Sequence, residues 1–203
     1  MRWTDEPMRD ACLACVDVVV VSFNTREITL RCVDALCSES RVSTICVVDN
    51  GSNDGSCEAL IQRAYEQNLC ESGPRLKVEC LSENRGFGAA NNLGVVQAGA
   101  EFIAFINSDA FVLSGALERM CAYLRMFPKV GLVGPRLLNA DGSFQESRFH
   151  FPSPARAWAE NLGFTSVLKT IARLWRNASM RETAGEVAWL SGACLVVRRT
   201  VWE

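Results

Sequence analysis

An apolar run, Phe102-Ile103-Ala104-Phe105-Ile106, ends abruptly in Asn107-Ser108-Asp109. A run this apolar reads as a buried strand. In an open α/β sheet, ligands bind beyond the carboxyl ends of the strands, so Asn107 and Asp109 are expected at the mouth of a site. An amide oxygen and a carboxylate there are hard ligands, suited to Mg²⁺ or Mn²⁺ carrying a phosphate. Asn, Ser and Asp also favour turns, and a plain turn is the competing reading.

Repetition favours the site. Ser22-Phe23-Asn24-Thr25, Asp49-Asn50-Gly51-Ser52-Asn53-Asp54-Gly55 and Glu83-Asn84-Arg85-Gly86-Phe87-Gly88, with Asn91 and Asn92 beyond, each follow an apolar segment. Neighbouring strand ends in a parallel sheet converge on one crevice. Carboxylates, amides, backbone N–H groups freed by glycine and an aromatic ring would line it. Such a lining fits a nucleoside diphosphate better than an apolar ligand. Bland alternatives stand beside each cluster. Asp49 can cap its own loop, Asp54 reads as the cap of the next helix, and Gly51 and Gly55 read as turn glycines. The first turn holds no glycine, so the Gly-x-Gly-x-x-Gly fingerprint of an NAD-dependent dehydrogenase is missing.

The elements that must position these residues follow from periodicity. Strands are expected at Val16–Ser22, Thr44–Val48, Leu76–Leu81, Glu101–Ile106 and Val130–Val133. Helices are expected at Glu27–Cys37, Asp54–Asn68 (Ala59, Leu60, Ile61 and Ala64 inward), Gly88–Ala98 and Ser114–Met126, the last with Ser114 as N-cap. This alternation predicts a mostly parallel, doubly wound α/β sheet with helices on both faces. After Pro135 the pattern changes. A hairpin is expected over Leu137–Phe149, an amphipathic helix over Thr165–Asn177, and short strands at Val187–Leu190 and Ala193–Val197. The resulting division is a leader (1–15), an α/β half (16–135) and a second half of changed pattern (136–203).

Composition bounds the class. The 203 residues suffice for one sizeable core, and a net charge of -2 carries no nucleic-acid signature. No stretch approaches the roughly 18 apolar residues of a membrane span. Seven of the ten cysteines, Cys32, Cys37, Cys46, Cys70, Cys80, Cys121 and Cys194, lie in apolar segments and read as reduced, buried thiols of a cytosolic protein. Cys12-x-x-Cys15 lacks the second ligand pair of a zinc site. From Phe151 to Arg181 basic residues outnumber acidic ones, with Glu160 against Arg156, Lys169, Arg173, Arg176 and Arg181. A helix there can lie on an anionic membrane surface or pack on the core with a solvated basic face.

Val19-Val20-Val21-Ser22-Phe23-Asn24, Val47-Val48-Asp49-Asn50-Gly51-Ser52-Asn53-Asp54-Gly55, Asn84-Arg85-Gly86-Phe87-Gly88-Ala89-Ala90-Asn91-Asn92 and Ile106-Asn107-Ser108-Asp109-Ala110 together resemble family 2 glycosyltransferases of the GT-A fold, most of all the rhamnosyltransferase-like enzymes of polysaccharide assembly. The resemblance implies an inverting transferase of a dTDP- or UDP-sugar, rhamnose among the candidates, to a saccharide or lipid-linked acceptor. It implies a cytoplasmic location, at the inner face of the membrane where the acceptor is lipid-linked. By it, Ser22, Asn24, Asn50, Ser52, Asn91 and Asn107 lie near the nucleotide, and Asp49 accepts the ring N–H of uracil or thymine. Asn84, Gly86 and Phe87 line the ribose and diphosphate, and Asp109 holds Mg²⁺ or Mn²⁺. The usual Asp-x-Asp has become Asn107-x-Asp109, one negative charge fewer. Trp189, Ser191 and Gly192 match the segment that faces donor sugar and acceptor; core packing is the alternative for Trp189.

The same resemblance expects a general base in an acidic motif after Gly192-Ala193-Cys194-Leu195-Val196-Val197-Arg198-Arg199. No such cluster lies between there and Glu203, and Glu146, Glu182 and Glu186 stand elsewhere in the pattern. The catalytic base is therefore expected beyond Glu203. The chain is expected to be a C-terminally truncated domain, with a nucleotide-binding module lacking catalysis as the second reading. Trp202 is expected to lack its surroundings.

Overall fold

The computed structural model describes residues 16–70, 72–149 and 185–202. These fall into two compact units, one of 16–145 with 191–202 and a small one of 146–149 with 185–190.

The larger unit is built on a six-stranded sheet. Val16–Ser22 (β1), Val42–Asp49 (β2), Arg75–Cys80 (β3), Phe102–Asn107 (β4), Leu132–Val133 (β5) and Cys194–Arg198 (β10) lie in the order β3-β2-β1-β4-β10-β5. β3, β2, β1 and β4 are parallel, and β10 runs antiparallel to both β4 and β5. Every residue of β1 is buried, which explains its unbroken valines: a strand covered on both faces has no polar side to show.

Arg26–Cys37 (α1), Ser56–Leu69 (α2) and Ala116–Met126 (α4) cover one face. There Val16, Val18 and Val20 pack with Cys32, Val33, Leu36, Leu60, Ala64, Leu117 and Leu124. Phe87–Val96 (α3) covers the other, where Val19 and Phe105 meet Val95, and Val21 and Val48 meet Ala90. The alternation of β1 residues between these clusters follows from the two-residue period of a strand. Gly94 lets α3 approach β1 closely; a Cβ there would stand 2.4 Å from Val19 Cγ1. Arg199–Trp202 forms a last short helix (α5), and the Trp202 ring lies 4.7 Å from that of Phe105. Trp202 thus makes this one ring contact while staying 42% exposed.

Four expectations change. Ser114 is not the N-cap of α4. A turn, with Ala116 N–H donating to Leu113 O, precedes the helix and puts Gly115 at the cap with φ +76°. Ile61 points outward, because Leu60 and Ala64 already fill the inner stripe of α2. Of the cysteines expected as buried free thiols, Cys70 is exposed and Cys80 is bonded to Cys57, joining the start of α2 to the end of β3. The hairpin is shorter than Leu137–Phe149. It consists of Leu137–Leu138 (β6) and Phe144–Gln145 (β7), whereas Arg148–Phe149 (β8) pairs with Trp189–Leu190 (β9) in the small unit. The expected helix over Thr165–Asn177 and the Cys12–Cys15 pair lie outside the described residues.

Candidate functional site

Strand register brings the clusters side by side. Ser22 of β1 is opposite Asp49 of β2, Asp49 is opposite Cys80 of β3, and Val21 is opposite Asn107 of β4. The four polar segments therefore leave the sheet at one edge. On the far side β10 begins beside Asn107, whose N–H donates to Ala193 O at 3.0 Å. Gly192 and Ser191 thus stand at the same edge, with Ser191 Oγ accepting from Ala193 N–H at 3.4 Å.

The loops beyond the strands are tied together by side chains. Asp49 is 1% exposed and accepts from Ser52 N–H at 3.0 Å and Ser52 Oγ–H at 2.6 Å. Ser52 Oγ accepts from Asn24 N–H at 2.8 Å, and Asn24 Oδ1 accepts from Asn53 N–H at 2.9 Å. Asn24 takes the left-handed backbone form (φ +52°), which its short amide tolerates. Asn50 reaches the next loop. Its Nδ2 donates to Asn84 Oδ1 at 3.0 Å, and its Oδ1 accepts from Arg85 N–H at 2.9 Å. Asn84 Oδ1 also accepts from Gly86 N–H at 2.8 Å. Gly86 caps α3 with φ +84° and ψ 159°, a region essentially limited to glycine. Phe87 follows with its ring about half exposed.

Asp54 is not the N-cap of α2: Gly55 is, and Asp54 stands one residue before it. Its Oδ1 accepts from Ser56 N–H and Oγ–H, and its Oδ2 from Arg26 N–H, so one carboxylate ties the first residue of α2 to the first residue of α1. These hydrogen bonds, Ser56 Oγ–H foremost, hold its carboxyl below the usual range.

The Asn107–Asp109 turn is where a divalent cation would sit. Asn107 Oδ1 is buried and has no hydrogen-bond partner among the described residues. Buried acceptors are seldom left unpaired, so this oxygen is poised for a ligand. Asp109 is exposed two residues on. Among the described residues no three His, Cys, Asp or Glu side chains cluster as a cage. One carboxylate and one amide oxygen suit Mg²⁺ or Mn²⁺, which keep waters and take substrate phosphates as their other ligands. The residues present fit the cation.

Some expected residues are placed otherwise. Ser22 is fully buried, and its hydroxyl shares hydrogen bonds with Thr25 Oγ1 and Thr29 Oγ1. Asn91 is buried, with Nδ2 donating to Phe87 O along α3. Trp189 belongs to the small unit, stacked on Phe149 with ring centroids 4.0 Å apart. Contacts beneath the turn were missed from sequence. Thr25 Oγ1 and Ser108 Oγ lie 3.3 Å apart, and Cys32 Sγ–H lies 3.3 Å from Ala110 O and 3.8 Å from Asn107 O. The i, i+4, i+7 spacing of Thr25, Thr29 and Cys32 on the inner side of α1 was the available signal.

The model of glycosyl transferase family 2 matches residues 17–203. The N-acetylglucosaminyl-diphospho-decaprenol L-rhamnosyltransferase of Mycobacterium tuberculosis is 27% identical over 188 residues, covering 83% of this chain and 55% of that protein. The putative glycosyltransferase EpsH of Bacillus subtilis is 33% identical over 106 residues, covering 52% of this chain and 29% of that protein. The chain thus spans about half the length of the first relative and less than a third of the second. Among solved structures, S. aureus TarS 1-349 aligns with a TM-score of 0.54 at 19% identity, over 68% of this chain and 40% of that one. The mannosyltransferase PcManGT of Pyrobaculum calidifontis, in complex with GDP-Man and Mn²⁺, aligns with a TM-score of 0.54 at 22% identity, over 64% and 37%. Both likenesses are of fold.

Proposed function

The chain belongs to glycosyl transferase family 2, and from that premise we propose that it is the donor-binding part of an inverting transferase. The donor is a dTDP- or UDP-sugar, with rhamnose the leading sugar, and the acceptor is a saccharide or a lipid-linked saccharide used in polysaccharide assembly. Residues 16–135 serve the donor and 136–203 the acceptor. The observation that carries this reading is the alignment of Ser22, Asp49 and Asn107 at one edge of three paired strands, with an unpartnered buried oxygen on Asn107.

Each residue then has a task. Asp49 reads the pyrimidine imide by a charge-assisted hydrogen bond, since a carboxylate has about four lone-pair sites and Ser52 uses two. The Arg85 and Gly86 N–H groups are held by Asn50 and Asn84, so the N–H groups that open α3 from Phe87 onward, with the Phe87 ring, receive ribose and diphosphate. Asp109 and Asn107 Oδ1 would hold Mg²⁺ or Mn²⁺, which supplies charge neutralisation to a departing diphosphate. In the transfer the acceptor hydroxyl oxygen attacks the anomeric carbon, the bond to the diphosphate breaks, and a general base takes the hydroxyl proton. We assign no described carboxylate to that base.

The lipid-linked acceptor is suggested by the name of the mycobacterial relative, which specifies a diphospho-decaprenol substrate. No helix among the described residues is long and apolar enough to cross a membrane. We place the transfer at the cytoplasmic face of the membrane, with peripheral contact.

The test is calorimetric titration with dTDP, UDP and GDP, each with and without Mn²⁺. Mn²⁺-dependent binding of dTDP or UDP over GDP is expected. Preference for GDP, or equal binding of all three in a folded Asp49→Ala variant and the parent, would overturn the base-reading role.

A further inference from the structure

The hydroxyl groups at the start of α1 form one connected set, and the Cys32 thiol further along reaches the same turn. Thr25 Oγ1 lies 3.2 Å from Ser22 Oγ, 3.0 Å from Thr29 Oγ1 and 3.3 Å from Ser108 Oγ. Thr29 Oγ1 lies 3.0 Å from Ser22 Oγ and donates to Thr25 O at 2.7 Å. Two turns along, Cys32 Sγ–H faces Ala110 O and, at longer range, Asn107 O. Ser22 ends the strand that pairs with Asp49, whereas Ser108 sits between Asn107 and Asp109. Thr29 is fully buried and Cys32 is 1% exposed. The Ser22–Thr29 bond forms where water does not compete and an unmet group would be costly, and the other contacts of the set are partly buried.

We propose that Thr25 and Cys32 are positioning residues for the cation, fixing the Asn107–Ala110 turn from beneath and joining it through Ser22 to the strand end that carries Asp49. The inference rests on the reading that Asp109 and Asn107 hold the cation. Thr25 touches neither donor nor cation; it acts through Ser108. The single S–H of Cys32 donates to Ala110 O at one end of the turn, with Asn107 O at the other end at longer range, and so supports the backbone that carries the two ligands. Groups behind first ligands commonly change metal affinity by on the order of tenfold when removed.

A merely structural role and a positioning role separate in one quantity, the ratio of UDP or dTDP affinity with Mn²⁺ to affinity without it. Thr25→Val removes the hydroxyl at constant shape, and Thr25→Ser restores it. Cys32→Ala and Cys32→Ser form a second pair, for use should Thr25→Val fail to give a cooperative unfolding transition. The expected result is that Thr25→Val and Cys32→Ala lower the ratio by on the order of tenfold, with metal-free binding unchanged and the serine variants close to the parent. Asp109→Asn, run alongside, shows whether the turn holds the cation at all. If Asp109→Asn abolishes the Mn²⁺ increment while Thr25→Val and Cys32→Ala keep it whole, the positioning role is overturned and the metal reading stands. If Asp109→Asn leaves the increment intact, the metal reading falls and this inference with it.

Discussion

Asn50 Nδ2 donates to Asn84 Oδ1 at 3.0 Å, joining the loop after β2 to the loop after β3. Asn50 is buried, and its own Oδ1 accepts from Arg85 N–H, so both faces of the amide are used. The pair fixes the separation of Asp49 from the Gly86–Phe87 turn, and a nucleotide spanning base and diphosphate needs that separation constant. Asn50→Ala and Asn84→Ala should each destabilise the fold by about 1–2 kcal/mol and weaken UDP or dTDP binding. A double-mutant cycle should show coupling of about 1 kcal/mol. Additive effects in urea titrations would mean that the two loops are set independently.

Gly51 stands at the closest approach of the same two loops. It has φ +79°, and an added Cβ would lie 2.7 Å from the backbone carbon of Glu83. Both the conformation and the space require glycine, so Gly51→Ala is expected to cost at least ~2 kcal/mol and to displace Asn84. Equilibrium unfolding measures the first effect, and nucleotide affinity the second. Gly86→Ala is the useful contrast. Its φ is +84° but no atom lies within 4 Å of a Cβ there, so only conformational strain should register.

The fold was legible in the chain for a physical reason. Val18–Val21 of β1 and Phe102–Ile106 of β4 are apolar because both faces are covered, and the helices between them carry one inner stripe each. The edge of the sheet that bears the site followed directly, as did the clustering of Ser22, Asp49, Asn84 and Asn107. Features that depend on packing between distant segments were not legible. Cys57 and Cys80 are 23 residues apart, and only the packing of α2 on β3 brings them together. Ile61 was assigned inward because periodicity cannot say how wide the buried stripe is. The Thr25–Ser108 contact spans 83 residues and has no local signature. Asn24, the single non-glycine residue with positive φ among the described residues, stands out in the sequence by motif and not by its backbone.

The Cys57–Cys80 bond closes a loop that contains α2 from its second residue onward, with Cα atoms 5.9 Å apart. Asp49 is the register partner of Cys80, so this bond braces the strand end that carries Asp49. Reduction should lower stability by about 3 kcal/mol, the value for closing a loop of roughly this length. Thermal unfolding with and without a phosphine reductant measures it. A Cys57→Ser, Cys80→Ser double variant should unfold at the reduced protein's temperature in both conditions. An identical transition for oxidised and reduced protein would show that the bond contributes nothing.

Alkaline pH should unfold the protein through its buried thiols. Burial pushes the Cys32 thiol up to about 12, with Asp109 and Cys194 adding to it. Burial alone does the same for Cys194, and burial takes Cys46 to about 11. The unfolded chain ionises these groups near 9, so it gains free energy as pH rises while the folded state does not. Their contribution is complete below about pH 9 and is lost progressively towards pH 11–12. Urea midpoints should therefore fall steadily above pH 9, and less steeply in Cys194→Ala. The exposed Cys70 should alkylate in the native protein, with Cys32 and Cys194 reacting only on unfolding. Rapid native alkylation of Cys32 would contradict the burial.

Asn107→Asp tests what the missing charge does. The Oδ1 atom is buried and unpartnered among the described residues, and a carboxylate placed there without a cation would carry an uncompensated charge. Such a charge costs several kcal/mol in a buried position, so the metal-free variant should be less stable than the parent. With Mn²⁺ the order should reverse. The second carboxylate adds direct attraction to the cation, and any ligand that binds only the folded state raises stability by mass action. The signature is a crossover: a lower melting temperature than the parent in chelator, and a larger upward shift on adding Mn²⁺ with UDP or dTDP. A destabilised variant with no added metal response would show that the Asn107 side chain does not face the cation, leaving Asp109 as its single protein ligand in this turn.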